Sequence, residues 1–257
     1  EVTNETGLTN MSGFWRSLQQ ADIDRDGDID YVIGNMGHNN KYRLGEGKPM
    51  QLYAKDMDKN GSIDLIPAYY ITNAKGKAEL YPALDRNQLA EQVPAVKKKY
   101  LLHKDYATVT MKQLLKDFGK DEWTILTCET FSTVWIENLS NGKFKTHVLP
   151  VQAQLAPVNS IIVEDIDADG HVDLVMAGNE YQMSASTGRH DASYGIVLKG
   201  NGKGMFVPVN AAESGLIIDG DIKDMKLLPV NGKAKLLLIA PNDHKLKTFT
   251  ITTSLKK

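Results

Sequence analysis

The sequence predicts an all-β fold built from short antiparallel strand pairs, and three observations lead there. A nine-residue acidic pattern occurs three times: Asp22-Ile23-Asp24-Arg25-Asp26-Gly27-Asp28-Ile29-Asp30, Asp56-Met57-Asp58-Lys59-Asn60-Gly61-Ser62-Ile63-Asp64 and Asp165-Ile166-Asp167-Ala168-Asp169-Gly170-His171-Val172-Asp173. Each copy runs into apolar residues, Tyr31-Val32-Ile33, Leu65-Ile66 and Leu174-Val175-Met176, which read as buried strands rather than helices. Two Asn-Gly pairs, Asn141-Gly142 and Asn201-Gly202, lie between further apolar runs sixty residues apart and mark tight hairpins.

The acidic loops carry the chemistry. Carboxylates at alternate positions converge only where the backbone curls, and glycine at position six (Gly27, Gly61, Gly170) allows the positive φ such a curl needs. Carboxylates about 5 Å apart repel by roughly 3 kcal/mol per pair at an effective dielectric of about 20. A hard divalent cation with oxygen ligands offsets that repulsion. The expected ligands are positions one, three, five and nine: Asp22, Asp24, Asp26 and Asp30; Asp56, Asp58, Asn60 and Asp64; Asp165, Asp167, Asp169 and Asp173. Position seven (Asp28, Ser62, His171) contributes its backbone carbonyl. A helical EF-hand is excluded, because it closes with a bidentate Glu at position twelve, where this chain has Ile33, Pro67 and Met176.

The pattern D-x-D-x-D/N-G-x-x-D followed by an apolar strand resembles the FG-GAP/VCBS repeat family, calcium-loop β-propellers that include integrin α-subunit heads. The contexts Gly34-Asn35-Met36-Gly37-His38-Asn39 and Ala177-Gly178-Asn179-Glu180-Tyr181 are similar to long VCBS-repeat proteins of bacterial cell surfaces, which often carry an ASPIC-type segment. Repeat-like sequence covers roughly residues 1–80 and 129–257. The resemblance implies Ca2+ at up to three sites. It also implies an extracellular or cell-surface location, secreted or associated with a bacterial outer membrane.

Taken in order, residues 1–8 read as the outer strand of a preceding blade, echoed by residues 205–216, and the chain as a piece of something longer. Residues 14–35 give strand, first loop, strand; residues 39–50 are polar and Gly-rich, an exposed loop. Residues 51–54 and 63–71 pair across the second loop. A helical insertion is expected at 81–119: Asp85 with Gln88 forms a capping pattern, Leu89, Val93, Val96 and Tyr100 follow at helical spacing, and Pro94 divides two short helices. Thr110 starts a further helix with Met111, Leu114, Leu115 and Phe118 on one face and Gly119 as its stop, while Lys97, Lys98 and Lys99 face solvent. The insertion reads as a cap on the sheets, or as a partner-docking element. Residues 133–138 and 143–148 form a hairpin, 158–163 leads into the third loop, 172–178 follows it, and 194–198 pairs with 205–208. The last unit, 223–228 and 236–240 around Asn231-Gly232, has the shape of a loop-bearing pair without the acids, and 247–253 closes the sheet. The architecture expected is a β-propeller, about four blades' worth or a section of a larger ring, forming one region over residues 1–257.

A net charge of −2 argues against nucleic acid as a partner, which needs a basic field. No apolar run approaches the ~20 residues of a membrane-spanning helix, and the chain shows no export signal. The single cysteine, Cys128, makes no intrachain disulfide and reads as a buried thiol. No nucleophile elbow, phosphate loop, dinucleotide fingerprint or His-Glu-x-x-His motif occurs. The polar segments following the first and third loops offer a ligand surface: His38, Asn39, Tyr42 and Arg43, and Tyr181, Arg189, His190 and Asp191. Such groups suit a glycan or a protein. Two functions stand: a noncatalytic, calcium-stabilised module for adhesion or glycan binding, and part of a calcium-dependent polysaccharide-degrading enzyme, lyase or glycosidase.

Overall fold

The computed structural model describes residues 1–119, 123–184, 187–230 and 235–251. Their strands form four antiparallel sheets, and the chain divides into two compact units, Glu1–Lys41 with Phe131–Lys257, and Tyr42–Thr130.

The chain opens with a helical turn, α1 (Thr3–Thr6), ended by Gly7 in the left-handed region. The strand expected over residues 1–8 is therefore a helical turn, and its polar residues 3–6 bury nothing that would hold them in a sheet. Strands β1 (Ser17–Ala21) and β2 (Asp30–Gly34) then pair across the first acidic loop, with Ala21 opposite Asp30.

The second unit follows. Strands β3 (Met50–Lys55), β4 (Asp64–Thr72), β5 (Ala78–Pro82) and β6 (Thr124–Cys128) form a sheet in the order β5-β4-β3-β6. The second acidic loop joins β3 to β4. Between β5 and β6 lie α2 (Arg86–Gln92), α3 (Ala95–Lys99), α4 (His103–Tyr106) and α5 (Met111–Phe118). The Asp85 carboxylate accepts the Gln88 amide at 2.9 Å, and the Gln88 side chain accepts the Asp85 amide at 3.0 Å. Leu89, Val93, Val96, Met111 and Leu114 pack with Tyr53, Ile66 and Ala68 of the sheet, each large apolar side chain adding about 1.5–3 kcal/mol by leaving water. The helices expected at 81–119 thus cover one face of their own sheet. Helix α4 was not expected, since four residues are too few to show a helical period. Cys128 is buried and its thiol donates to the Thr130 carbonyl.

Strands β7 (Val134–Asn138) and β8 (Phe144–Val148) return to the first sheet, whose order is β1-β2-β7-β8. The second unit is therefore inserted, along the chain, between two hydrogen-bonded neighbours. After a 3-10 turn at Val151–Gln154, β9 (Val158–Glu164), β10 (Asp173–Gly178), β11 (Ile196–Gly200) and β12 (Phe206–Val209) form a meander, with the third acidic loop joining β9 to β10. Helix α6 (Ala211–Ser214) ends on left-handed Gly215, so the echo between residues 1–8 and 205–216 includes a shared helical turn. Strands β13 (Ile222–Pro229), β14 (Lys235–Pro241) and β15 (Lys247–Ile251) make a three-stranded sheet. The Asn231-Gly232 turn and residues 252–253 lie outside the described residues.

Strand β10 is buried along its whole length. Leu174 and Met176 pack with Val32, Trp135, Ile161 and Leu198, while Val175 and Ala177 pack with Ile218, Ile222, Met225 and Ile239. A strand covered on both faces reads as a continuous apolar run, which is why its periodicity in the sequence is weak. The first strands of successive sheets lie against one another, β1 on β9 and β9 on β13. Close approach at this junction explains the repeated Gly-Asn pair. A Cβ on Gly178 would fall 1.8 Å from the Pro157 carbonyl oxygen, and one on Gly34 would fall 2.3 Å from that of Val158. Asn179 then ties the junction, its amide donating to the carbonyls of Ser193 and Gly220 at 2.9 and 2.8 Å. Among the described residues no helix is long and apolar enough to cross a membrane.

Candidate metal centres

All three acidic loops adopt one backbone form. Position six is glycine at positive φ (Gly27 96°, Gly61 90°, Gly170 86°), as its place in the pattern requires. Position four is also left-handed, in residues that carry a Cβ: Arg25 at 67°, Lys59 at 60° and Ala168 at 61°. That conformation costs a non-glycine residue about 1–2 kcal/mol. Nothing in the spacing of acids announces it.

The curl brings positions one, three and nine together. Asp22, Asp24 and Asp30, Asp56, Asp58 and Asp64, and Asp165, Asp167 and Asp173 each offer oxygens within 4.8 Å of one another. Two oxygens sharing one Ca2+ at about 2.4 Å can be no further apart than about 4.8 Å, so each group fits around a single ion. Position five also serves the turn: the side-chain oxygens of Asp26, Asn60 and Asp169 accept the amides of Asp28, Ser62 and His171 at 3.0, 2.8 and 2.9 Å. Three Asp clusters that can hold a metal ion are therefore present among the described residues.

Position nine is the buried anchor. Asp30, Asp64 and Asp173 are 0, 3 and 2 % exposed. One oxygen of each accepts the amide of position two, from Ile23 at 3.0 Å, Met57 at 2.8 Å and Ile166 at 3.0 Å. In the first and third loops the other oxygen reaches the next strand, accepting from Asn138 at 2.8 Å and Gly200 at 2.9 Å. In the second unit Gln92 of α2 occupies the corresponding edge, bonding the amide and carbonyl of Leu65. Burial pushes all three carboxyls above their ordinary range against the pull of these amides. Asp24 is raised as well, first by burial and then by the neighbouring charges of Asp26, Glu137 and Asp22.

The loops differ in how the remaining oxygens are satisfied. In the second and third, position one accepts the amides of positions five and six: Asn60 and Gly61 donate to Asp56, and Asp169 and Gly170 to Asp165, at 2.9–3.1 Å. In the third, the Lys199 ammonium also sits on Asp167 and, at 3.0 Å, on Asp169. The Asp169 carboxyl is held below its usual range by the His171 amide and then by Lys199. In the first loop Asp22, Asp24 and Asp28 each keep one buried oxygen with no hydrogen-bond partner among the described residues. Buried acceptors left unpaired cost about 1–3 kcal/mol each, and a cation between them would remove that cost. The Asp28 side chain, expected to contribute only its carbonyl, is one of the three.

The other site residues are placed as follows. His38 and Asn39 are exposed, and His38 Nε2 lies 2.9 Å from the Ser132 hydroxyl. Tyr42 and Arg43 belong to the second unit, where Tyr42 meets Tyr69 edge-on at 5.2 Å. Tyr181 and Arg189 come together, the guanidinium 4.7 Å over the ring. Asp191 is exposed, whereas His190 is buried and its imidazole is pushed toward the neutral form by desolvation. The segment is pinched shut at its base, where Glu180 and His190 exchange two backbone hydrogen bonds at 2.8 and 2.9 Å. Burial works against the Glu180 carboxylate, yet the Arg16 guanidinium at 3.1 Å and Lys223 beside it hold it below its usual range. Arg16 and Lys223 escaped the sequence reading because only strand pairing brings them to residue 180.

No protein-family model matches this chain, and no curated protein matches it.

Proposed function

We propose that the chain is a calcium-stabilised, noncatalytic scaffold of the FG-GAP/VCBS type, exported to the cell surface or secreted, and used for adhesion or for binding a glycan or protein. The observation that carries this is the threefold repetition of one loop geometry, with three buried oxygens of the first loop unpaired. Calcium is the cation favoured: the donors are carboxylate and carbonyl oxygens gathered on a short turn, and Ca2+ accepts six to eight such oxygens. Asp22, Asp24, Asp28 and Asp30 would hold it at the first loop, with equivalent positions at the others, and the ion would supply positive charge rather than chemistry. A propeller-like arrangement is supported by the meander of each sheet of the first unit and by β1, β9 and β13 lying one against the next. Millimolar extracellular calcium suits exposed loops of this kind.

The binding surface we assign is the β10–β11 segment with Tyr181, Arg189, His190 and Asp191, together with His38 and Asn39. The Arg189–Tyr181 stack presents a flat face and a guanidinium, which suits sugar hydroxyls or a peptide carboxylate. The polysaccharide-degrading alternative needs an acid and a base open to substrate, and a His190 that is 6 % exposed does not favour it. The deciding experiment is a thermal melt titrated with calcium and chelator, paired with a glycan array on wild-type and Arg189→Ala protein. A melting temperature indifferent to chelator would remove the calcium reading, and an array signal unchanged by Arg189→Ala would remove this surface.

A further inference from the structure

We infer that the first and third loops hold calcium unequally, and that Lys199 sets the difference by acting as a tethered competitor for the ion at the third loop. The inference rests on the reading of the loops as calcium sites.

The two loops can be superposed through one hydrogen bond. Asp30 accepts the amide of Asn138, and Asp173 accepts the amide of Gly200, so Asn138 and Gly200 occupy the same place beside their loops. The residues just before them are Glu137 and Lys199, opposite in charge at equivalent positions of β7 and β11. The Lys199 ammonium lies on Asp167 and Asp169, and Asp167 is a member of the oxygen cluster of its loop. Both oxygens of Asp167 are already engaged, one by Lys199 and the other by the Asp169 amide at 3.2 Å. A dication on the same carboxylate would stand within a few ångströms of the ammonium charge, so calcium enters the third loop against the repulsion of Lys199. At the first loop no ammonium or guanidinium pairs with any of the five aspartates among the described residues, and three oxygens stay unpaired. Glu137 there adds negative charge, its own carboxylate steadied by His147 at 2.6 Å and Lys145 at 3.5 Å. The first loop is therefore the tighter site and fills first.

The test uses the full chain and calcium itself, followed by isothermal titration calorimetry at fixed ionic strength. In a background carrying Asp24→Asn and Asp58→Asn, which silences the first two loops, Lys199→Met should tighten the remaining site about tenfold, the effect of removing two exposed ion pairs. Lys199→Arg, which keeps the charge, should leave it within about threefold. In the otherwise intact chain Glu137→Lys should weaken the tighter of the separable binding steps about tenfold. Circular dichroism confirms that each variant keeps its β content. Calcium binding that is present but unchanged by Lys199→Met and by Glu137→Lys would overturn the competitor and leave the calcium sites standing. Absence of calcium heat in the parent chain and every variant would overturn both.

Discussion

The first and third acidic loops share length, backbone and anchor, yet the first holds unpaired oxygens while Lys199 pairs with two acids of the third. Both curl through left-handed residues at positions four and six, and both pin position nine between two backbone amides. They part chiefly in what surrounds positions one and three. The third loop turns its own amides and Lys199 onto those carboxylates, whereas the first leaves Asp22 and Asp24 facing one another. A repeated motif therefore encodes the shape of an acidic turn, while the neighbouring strand decides which of its oxygens are paired.

The largest effect that would test the shared part is removal of the anchor. Asp30→Ala and Asp173→Ala should each cost about 3–5 kcal/mol in urea melts with chelator present, because each strands two charge-assisted amide donors. Asp64→Ala, with the single amide bond from Met57, should cost about half as much. Equal losses at all three would show that the second amide donor contributes nothing.

Next comes the ion itself. A free calcium concentration about a hundredfold above the dissociation constant should add about 2.7 kcal/mol at each site it fills. Asp24→Asn should remove more of this increment than Asp167→Asn, read as the calcium-dependent rise in melting temperature. The reverse order would mean that unpaired oxygens do not mark the stronger site.

Acidity sharpens the same contrast more gently. Burial raises the carboxyls of Asp30, Asp64 and Asp173 above their ordinary value of 3.8. With chelator present, their contribution to stability should thus be fully present below that value and be lost as pH rises through the raised range. Calcium prefers the ionised form, so its increment should grow over the same window and shrink on acidification. Melts at several pH values, with calcium and with chelator, would show two curves diverging upward from about pH 4. Parallel curves would exclude these aspartates as the linked groups.

The smallest change concerns the strained fourth position. Ala168→Gly should stabilise the fold by about 1 kcal/mol by relieving a left-handed alanine, offset in part by the greater freedom of glycine in the unfolded chain. A destabilised variant would mean that this second cost dominates.

Much of this molecule was legible from residue order. Strand pairs at each acidic loop, the Asp85 capping box, the division at Pro94 and the buried thiol of Cys128 follow from contacts between residues close in sequence, where spacing and turn preference suffice. The helical turn at residues 3–6 was misread because the polar segment lacks any apolar period. The clustering of positions one, three and nine was also legible, since alternation and a glycine are local properties. Position five, expected on the ion, also closes the turn by accepting the amide of position seven, a second role that depends on backbone geometry rather than on residue type.

By itself, then, the order of residues determined an all-β chain with three acid-lined turns that can gather round a cation. Tertiary structure alone decided which carboxylates stay unpaired, because Lys199, Asn138 and Gly200 reach the loops only after strands distant in sequence have paired. It likewise set Glu137 and Lys199 at matching places, and put Arg16 and Lys223 on Glu180. Charge acts across space, and sequence distance says little about which charges will meet.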